Sequence, residues 1–274
     1  MITFPNAKIN LGLNIVARRP DGYHDLETVF YPIPLTDVLE IVPGTGDDAT
    51  LTCYGRKVDC PVEKNLVMKA YRLMQRDYGV PAVDMHLYKH IPDGAGLGGG
   101  SSDAAHVMTM LNEMFELGID KSTLAAKAAT LGADCAFFIY NTPMMATGIG
   151  DVLTPVSVDL KGKYLLLAKP DVSVPTREAY SRVTPEPSEV SPEQVVSWPL
   201  QQWDGVLKND FEPSVFATHP ELWAMKLTMI EQGAQYACMS GSGSSIVGFF
   251  DDVTLAEAAR DKFADCFTHV CALG

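Results

Sequence analysis

The stretch IPDGAGLGGGSSDAA, residues 91–105, places five glycines in the seven positions from Gly94 to Gly100, then passes into two serines, an aspartate and alanines. Upstream, VDMHLYKHI (83–91) alternates apolar and polar residues, the pattern of a half-buried strand. Downstream, Ala104, Val107, Met108, Leu111, Met114 and Phe115 recur at helical spacing, which predicts a helix beginning near Ser101. Strand, glycine loop and helix start make an anion cradle. Glycine allows positive φ and lets a ligand approach the main-chain amides. The first helical turn leaves N–H groups without intrahelical partners, and the helix dipole adds partial positive charge there, so phosphate is the natural guest. A plain linker would not be framed by a periodic strand and an alanine-rich helix.

Two familiar phosphate loops do not fit. Gly94, Gly96 and Gly99 satisfy G-x-G-x-x-G, but the acids some twenty positions on, Glu116 and Asp120, fall between two helical patterns rather than at the end of a strand, where a dinucleotide fold needs its acid. No Gly-Lys-Ser/Thr follows the glycines, which excludes the P-loop pattern. A phosphate loop of another kind remains.

The chain of 274 residues is long enough for one large domain or two ordinary ones. Its net charge of −13 argues against nucleic acid or an anionic membrane surface as partner. An anionic small substrate stays compatible, because the loop supplies local positive potential without many lysines. No basic region followed by an apolar run opens the sequence, and no apolar run approaches the ~20 residues of a membrane span, so a cytoplasmic protein is expected. Cysteines 53, 60, 135, 238, 266 and 271 form no C-x-x-C pair and are expected to be free, mostly buried thiols. His86 and His90 lie four apart on an apparent strand, where helical ligand spacing does not apply, so no metal is expected there.

Along the chain, residues 8–17 alternate as a half-buried strand, 49–60 resemble a hairpin around Gly55, and 65–79 carry a helical stripe that ends at a glycine. A second helix is predicted over 122–131, and further helices over 221–232 and 254–267, the last with a capping box of Thr254 and Glu257. Residues 184–199, rich in proline, serine and acids, read as loops, and 237–250 as a second glycine-serine turn followed by a strand. The composition shift predicts two domains, 1–155 and 156–274.

These residues resemble a known family. GLGGGSSDAA (96–105) is similar to the ATP-binding motif of the GHMP kinases, PNAKINLGLNI (5–15) to their first motif and SGSGSSIVGFF (240–250) to their third. RPDGYHDLETVF (19–30), LGADCAFFI (131–139), VSVPTREAY (172–180) and NDFEP (209–213) resemble the member that phosphorylates the 2-hydroxyl of 4-(cytidine 5′-diphospho)-2-C-methyl-D-erythritol in the non-mevalonate isoprenoid pathway. The resemblance implies an α+β, two-domain fold, with an N-terminal domain like domain 2 of ribosomal protein S5 that binds ATP and a ferredoxin-like C-terminal domain. It implies ATP and Mg²⁺ as requirements, the cytidine alcohol as small-molecule partner, no nucleic acid or membrane, and a monomer or weak homodimer.

Transfer of phosphoryl from ATP needs a polyphosphate cradle, charge neutralisation and an aligned hydroxyl. The cradle is Pro92, Asp93, Gly94, Ala95, Gly96, Leu97, Gly98, Gly99, Gly100, Ser101 and Ser102. Ser101 and Ser102 can donate to phosphate, face a Mg²⁺ brought in with ATP, or cap the helix; no direct protein cage for the metal is expected. Asp93 departs from the family pattern and is expected to face solvent. Lys89 is a nucleotide contact or a solvated strand-edge lysine, and Asn65 an adenine neighbour or a helix cap. The resemblance makes Asp134 the candidate base for a poorly nucleophilic tertiary hydroxyl, with Lys8 as the cation that keeps it ionised. In a loose transition state the two would position the hydroxyl more than remove its proton. Tyr23 and Tyr180 can stack on cytosine, His24 can read its edge, and Asn10 and Thr176 can hold the erythritol or diphosphate. Gly241 to Ser244 would form a glycine-lined wall near the substrate's diphosphate or the ATP tail, with Gly241 and Ser242 expected to bind the substrate. Other readings stay open: another GHMP kinase acting on mevalonate, homoserine or a sugar, and a nucleotide-binding regulator without catalysis.

Overall fold

The computed structural model describes residues 1–58 and 60–274. The strands, in order, are β1 (Ile2–Thr3), β2 (Asn6–Arg18), β3 (His24–Thr36), β4 (Val38–Pro43), β5 (Thr50–Gly55), β6 (Val83–Lys89), β7 (Met144–Thr147), β8 (Val152–Pro155), β9 (Tyr164–Lys169), β10 (Tyr236–Met239), β11 (Ile246–Phe250) and β12 (Phe267–Ala272). The helices are α1 (Leu66–Tyr78), α2 (Gly99–Met114), α3 (Lys121–Ala129), α4 (Cys135–Tyr140), α5 (Thr176–Ser181), α6 (Pro192–Val195), α7 (Glu212–Thr218), α8 (Pro220–Glu231) and α9 (Val253–Arg260). They fall into two compact units. The first comprises Met1–Ala7, Pro34–Asp93 and Gly98–Thr142; the second, Lys8–Ile33, Gly94–Leu97 and Pro143–Gly274.

The first unit is built on a sheet of order β1-β4-β6-β5. β5 pairs in parallel with β6, from Thr50 opposite Asp84 to Gly55 opposite Lys89. Among the described residues β5 forms no hairpin around Gly55, and residue 59 of the expected span lies outside them: the strand finds its partner some thirty residues later. A Cβ on Gly55 would stand 2.3 Å from the Lys89 carbonyl oxygen, so the glycine marks a close backbone approach. Local chemistry sets the ends of α1. The Asn65 side chain accepts from the Val67 amide, and Gly79 closes the C-terminus in the left-handed region at φ 69°. α1 buries Val67, Ala70, Tyr71 and Met74, and α2 buries Ala104, Val107, Met108 and Leu111. α2 starts two residues before the expected Ser101, and α3 runs one to two residues short of the expected 122–131 at its C-terminal end, where Thr130 caps it.

The second unit holds two sheets, β2-β3-β7-β8 and β10-β11-β9-β12. In the latter every pairing is antiparallel. The sequence β9, helices, β10, β11, α9, β12 with that strand order is the split βαβ arrangement of a ferredoxin-like domain. β11 is buried along its whole length, and Leu166, Ala168, Ala237, Ile246 and Phe250 anchor one apolar core. Two expectations change. β2 is not half-buried: Lys8, Asn10 and Asn14 are enclosed along with its apolar residues. α9 ends at Arg260 rather than near 267, and its N-terminus is capped by Asp252, which accepts from the Thr254 amide at 2.7 Å, so Thr254 and Glu257 form no capping box. The cysteines are free, but Cys53 and Cys60 are exposed and only Cys135 and Cys238 are buried. Among the described residues, no helix is long and apolar enough to cross a membrane.

Candidate active site

In the first unit the glycine stretch delivers a helix N-terminus. Gly98 is the N-cap of α2 with φ 70°, and no side chain caps the amides of the first turn. Those donors stay available to an anion. Gly94 takes φ 59° in open space, and a Cβ on Gly100 would meet nothing nearer than 3.8 Å. Pro92 is buried and Asp93 exposed, the latter as expected. Ser102 is fully buried, with its hydroxyl 3.4 Å from His106 Nδ1, so Ser101 is the serine of the pair with accessible surface. Burial pushes the Cys135 thiol up to about 11, and the neighbouring Ser101 hydroxyl opposes that rise. Gly132 lies beside them, its position for a Cβ 3.9 Å from Ser101 Oγ, so the turn that carries Asp134 abuts the head of α2. Asp134 occupies the N-cap position of α4 and makes no side-chain capping bond there. Asn65 does cap α1, through its bond from the Val67 amide at 2.9 Å.

Lys89 is neither solvated nor at a free edge. It is 5% exposed, and its ammonium bonds Asp37 Oδ2 and, at 2.6 Å, Asp103 Oδ2. Asp37 Oδ1 accepts from the amides of His90 and Ile91 at 2.6 and 2.8 Å. Burial is the largest influence on the Asp103 carboxyl and pushes it up to about 7, against the opposing pull of Lys89. Sequence reading did not find Asp37 or Asp103 as partners of Lys89, since nothing local marks an aspartate as the partner of a lysine 52 or 14 residues away.

In the second unit, residues 94–97 are clipped by the third motif. Gly96 sits at φ 76°, where a Cβ would stand 2.0 Å from the Ser240 carbonyl oxygen; only glycine fits. The Ser240 hydroxyl donates to the Gly96 carbonyl at 2.9 Å and accepts from the Asn10 amide at 3.2 Å. The Lys8 amide donates to the Leu97 carbonyl at 2.9 Å, and the Ser245 amide donates to that of Ala95. Lys8, 4% exposed, donates from Nζ to Asn10 Oδ1 at 2.6 Å and lies over the Phe30 ring. Asn10 Nδ2 in turn donates to Thr28 Oγ1. Asn209 donates from Nδ2 to the carbonyls of Met239 and Gly241, both at 2.8 Å, and so shapes the 240–245 turn. Ser240, Thr28 and Asn209 escaped the sequence reading, although all three stand inside the motifs quoted above.

The residues expected at the cytidine end also assemble in part within this unit. The His24 and Tyr180 rings stack at 5.0 Å and 24°, and Tyr180 meets Phe211 edge-on. Tyr23 is 61% exposed, on a turn closed by the Arg19 amide bonding the Tyr23 carbonyl. Thr176 Oγ1 and Ser242 Oγ lie 3.3 Å apart, which joins α5 to the wall beside Gly241. Among the described residues, no three His, Cys, Asp or Glu side chains gather in a group that could hold a metal ion.

The family model for the GHMP kinases N terminal domain matches residues 65–142, and that for the GHMP kinases C terminal matches 200–269. The 4-diphosphocytidyl-2-C-methyl-D-erythritol kinase of Parabacteroides distasonis is 52% identical over 97% of both chains. The kinase of the same name from Bacteroides thetaiotaomicron is 50% identical over 97% of this chain and 98% of that one. A crystal structure of 4-(cytidine 5′-diphospho)-2C-methyl-D-erythritol kinase superposes with a TM-score of 0.84 at 32% identity and full coverage of both chains. The mevalonate kinase of Methanococcus jannaschii, 11% identical, shares the fold with a TM-score of 0.73 over 100% of this chain and 98% of its own. The chain belongs to the GHMP kinases and, within them, to the family of the 4-diphosphocytidyl-2-C-methyl-D-erythritol kinases.

Proposed function

We propose that this chain transfers the γ-phosphoryl group of ATP to the 2-hydroxyl of 4-(cytidine 5′-diphospho)-2-C-methyl-D-erythritol. The observation that carries the reading is the likeness to kinases of that name along nearly the whole chain, at 52% identity. The GHMP models match on either side of the 155/156 boundary, which supports the division into an ATP-binding domain and a C-terminal domain.

The roles follow from the chemistry. The bare amides at the head of α2 and the open positions at Gly94 and Gly100 suit the polyphosphate. A magnesium ion carried in with ATP neutralises phosphate charge, and Ser101 is the hydroxyl suited to face it. Lys8 meets charge on the transferring group, and Asn10 holds its ammonium in place. Asp134 accepts or orients the proton of the tertiary hydroxyl. Tyr23, His24 and Tyr180 serve the cytosine, and Thr176, Gly241 and Ser242 the diphosphate end. Asn65 and Lys89 act on ATP through the elements they fix. The free thiols and the net charge of −13 fit an enzyme at work in the cytoplasm.

A coupled ADP-release assay against a panel of alcohols tests this. Release that depends on the cytidine alcohol, with none for mevalonate, homoserine or galactose, is the expected result. Turnover of one of those three alone would overturn the substrate, and no turnover with any would favour a nucleotide-binding regulator.

A further inference from the structure

We infer that Asp37, Lys89 and Asp103 form a positioning group for the phosphate loop, in which one buried ammonium is pinned between two carboxyl groups. The inference rests on the reading of residues 92–102 as the ATP cradle. Its parts all lie in the first unit.

The placement carries the argument. Lys89 is the last residue of β6, the strand that enters the loop, and Asp103 is the fifth residue of α2, the helix that leaves it. Lys89 Nζ bonds both Asp37 and Asp103. Asp37 also holds the next two main-chain amides, those of His90 and Ile91, and its own amide donates to the Pro5 carbonyl. The first residue of α2 packs on the same spot: a Cβ on Gly99 would stand 3.0 Å from Ile91 Cγ2 and 3.4 Å from Lys89 Nζ. One ion cluster thereby sets both ends of the loop that belong to this unit.

Stability does not explain the cluster, because a buried ion group replaced by well-packed apolar side chains is often no less stable. Position does. The three side chains are 5%, 0% and 2% exposed, so the ammonium and its two carboxyl partners are held by one another rather than by water. Removing the Asp103 carboxyl would untie the first turns of α2 from the end of β6.

The test measures affinity for a non-hydrolysable ATP analogue by calorimetry, and KM for ATP by the coupled assay, on wild type, Asp103→Asn, Asp103→Ala and Lys89→Met. Asn keeps an oxygen for the Lys89 ammonium, and Ala does not. We expect Asp103→Asn to rescue most of the ATP affinity that Asp103→Ala loses by about tenfold. KM for the acceptor alcohol should move less than twofold in every folded variant. Equal ATP affinity in Asp103→Ala and wild type, or an equal loss in Asp103→Asn and Asp103→Ala, would overturn the inference. Should Lys89→Met fail to fold, the Asn-against-Ala comparison still decides. Analogue affinity is read without turnover, so a wrong acceptor would show in the assay and leave this result standing.

Discussion

Gly96 holds φ at 76° with the Ser240 carbonyl oxygen where a Cβ would lie, and Gly98 turns the chain into α2 at φ 70°. These two positions need glycine for different reasons, close approach and helix entry, while Gly94 and Gly100 leave open space. The density of glycine was visible in the sequence; the division of labour was not, because the atom that excludes a side chain at Gly96 comes from residue 240. The same holds for Lys89, whose carboxylate partners lie 52 and 14 positions away. In the proposed function Asp134 is the residue on which the chemistry turns. Its side chain makes no cap on α4, so capping does not account for it. Replacing Asp134 with Ala should lower kcat by about 10²–10⁴ and leave the affinity for an ATP analogue within about twofold. Single-turnover kinetics beside calorimetry would show it; near-normal turnover would remove Asp134 from the role of base.

At the scale of elements, α1 and α2 were legible because local chemistry writes their ends. Asn65 caps α1, Gly79 stops it, and the apolar stripe between them faces the core. Elements whose definition depends on distant partners were not. β5 pairs in parallel with a strand beyond α1, and β2 encloses the polar residues that alternation had placed outside. α9 starts from Asp252, one of two adjacent aspartates, where Thr254 offered an equally plausible cap. The cap at Asn65 yields a measurement that separates its two expected roles. Asn65→Ala should cost about 1 kcal/mol in denaturant unfolding, and Asn65→Ser should restore most of that. If Asn65 acts on ATP only by fixing α1, ATP affinity returns with Asn65→Ser; affinity that stays low in a restabilised Asn65→Ser would place the amide side chain on the nucleotide itself.

At the scale of the molecule, three motifs from residues 5–15, 96–105 and 240–250 identified the family before any element was placed, and the ferredoxin-like strand order of the second unit agrees with it. What motifs could not supply was the support around them: Ser240 on the loop, Asn10 on Lys8, Asp37 and Asp103 on Lys89. A net charge of −13 is compatible with the proposed binding of two anionic substrates, because main-chain amides and the enclosed Lys8 provide local positive potential. The decisive measurement is ³¹P NMR of the purified chain with ATP, Mg²⁺ and the cytidine alcohol. A phosphomonoester resonance should grow as the ATP γ-signal falls, with the cytidine diphosphate signals intact and no change when the alcohol is omitted. Inorganic phosphate as the only new signal, or an unconsumed γ-signal, would contradict transfer to that hydroxyl.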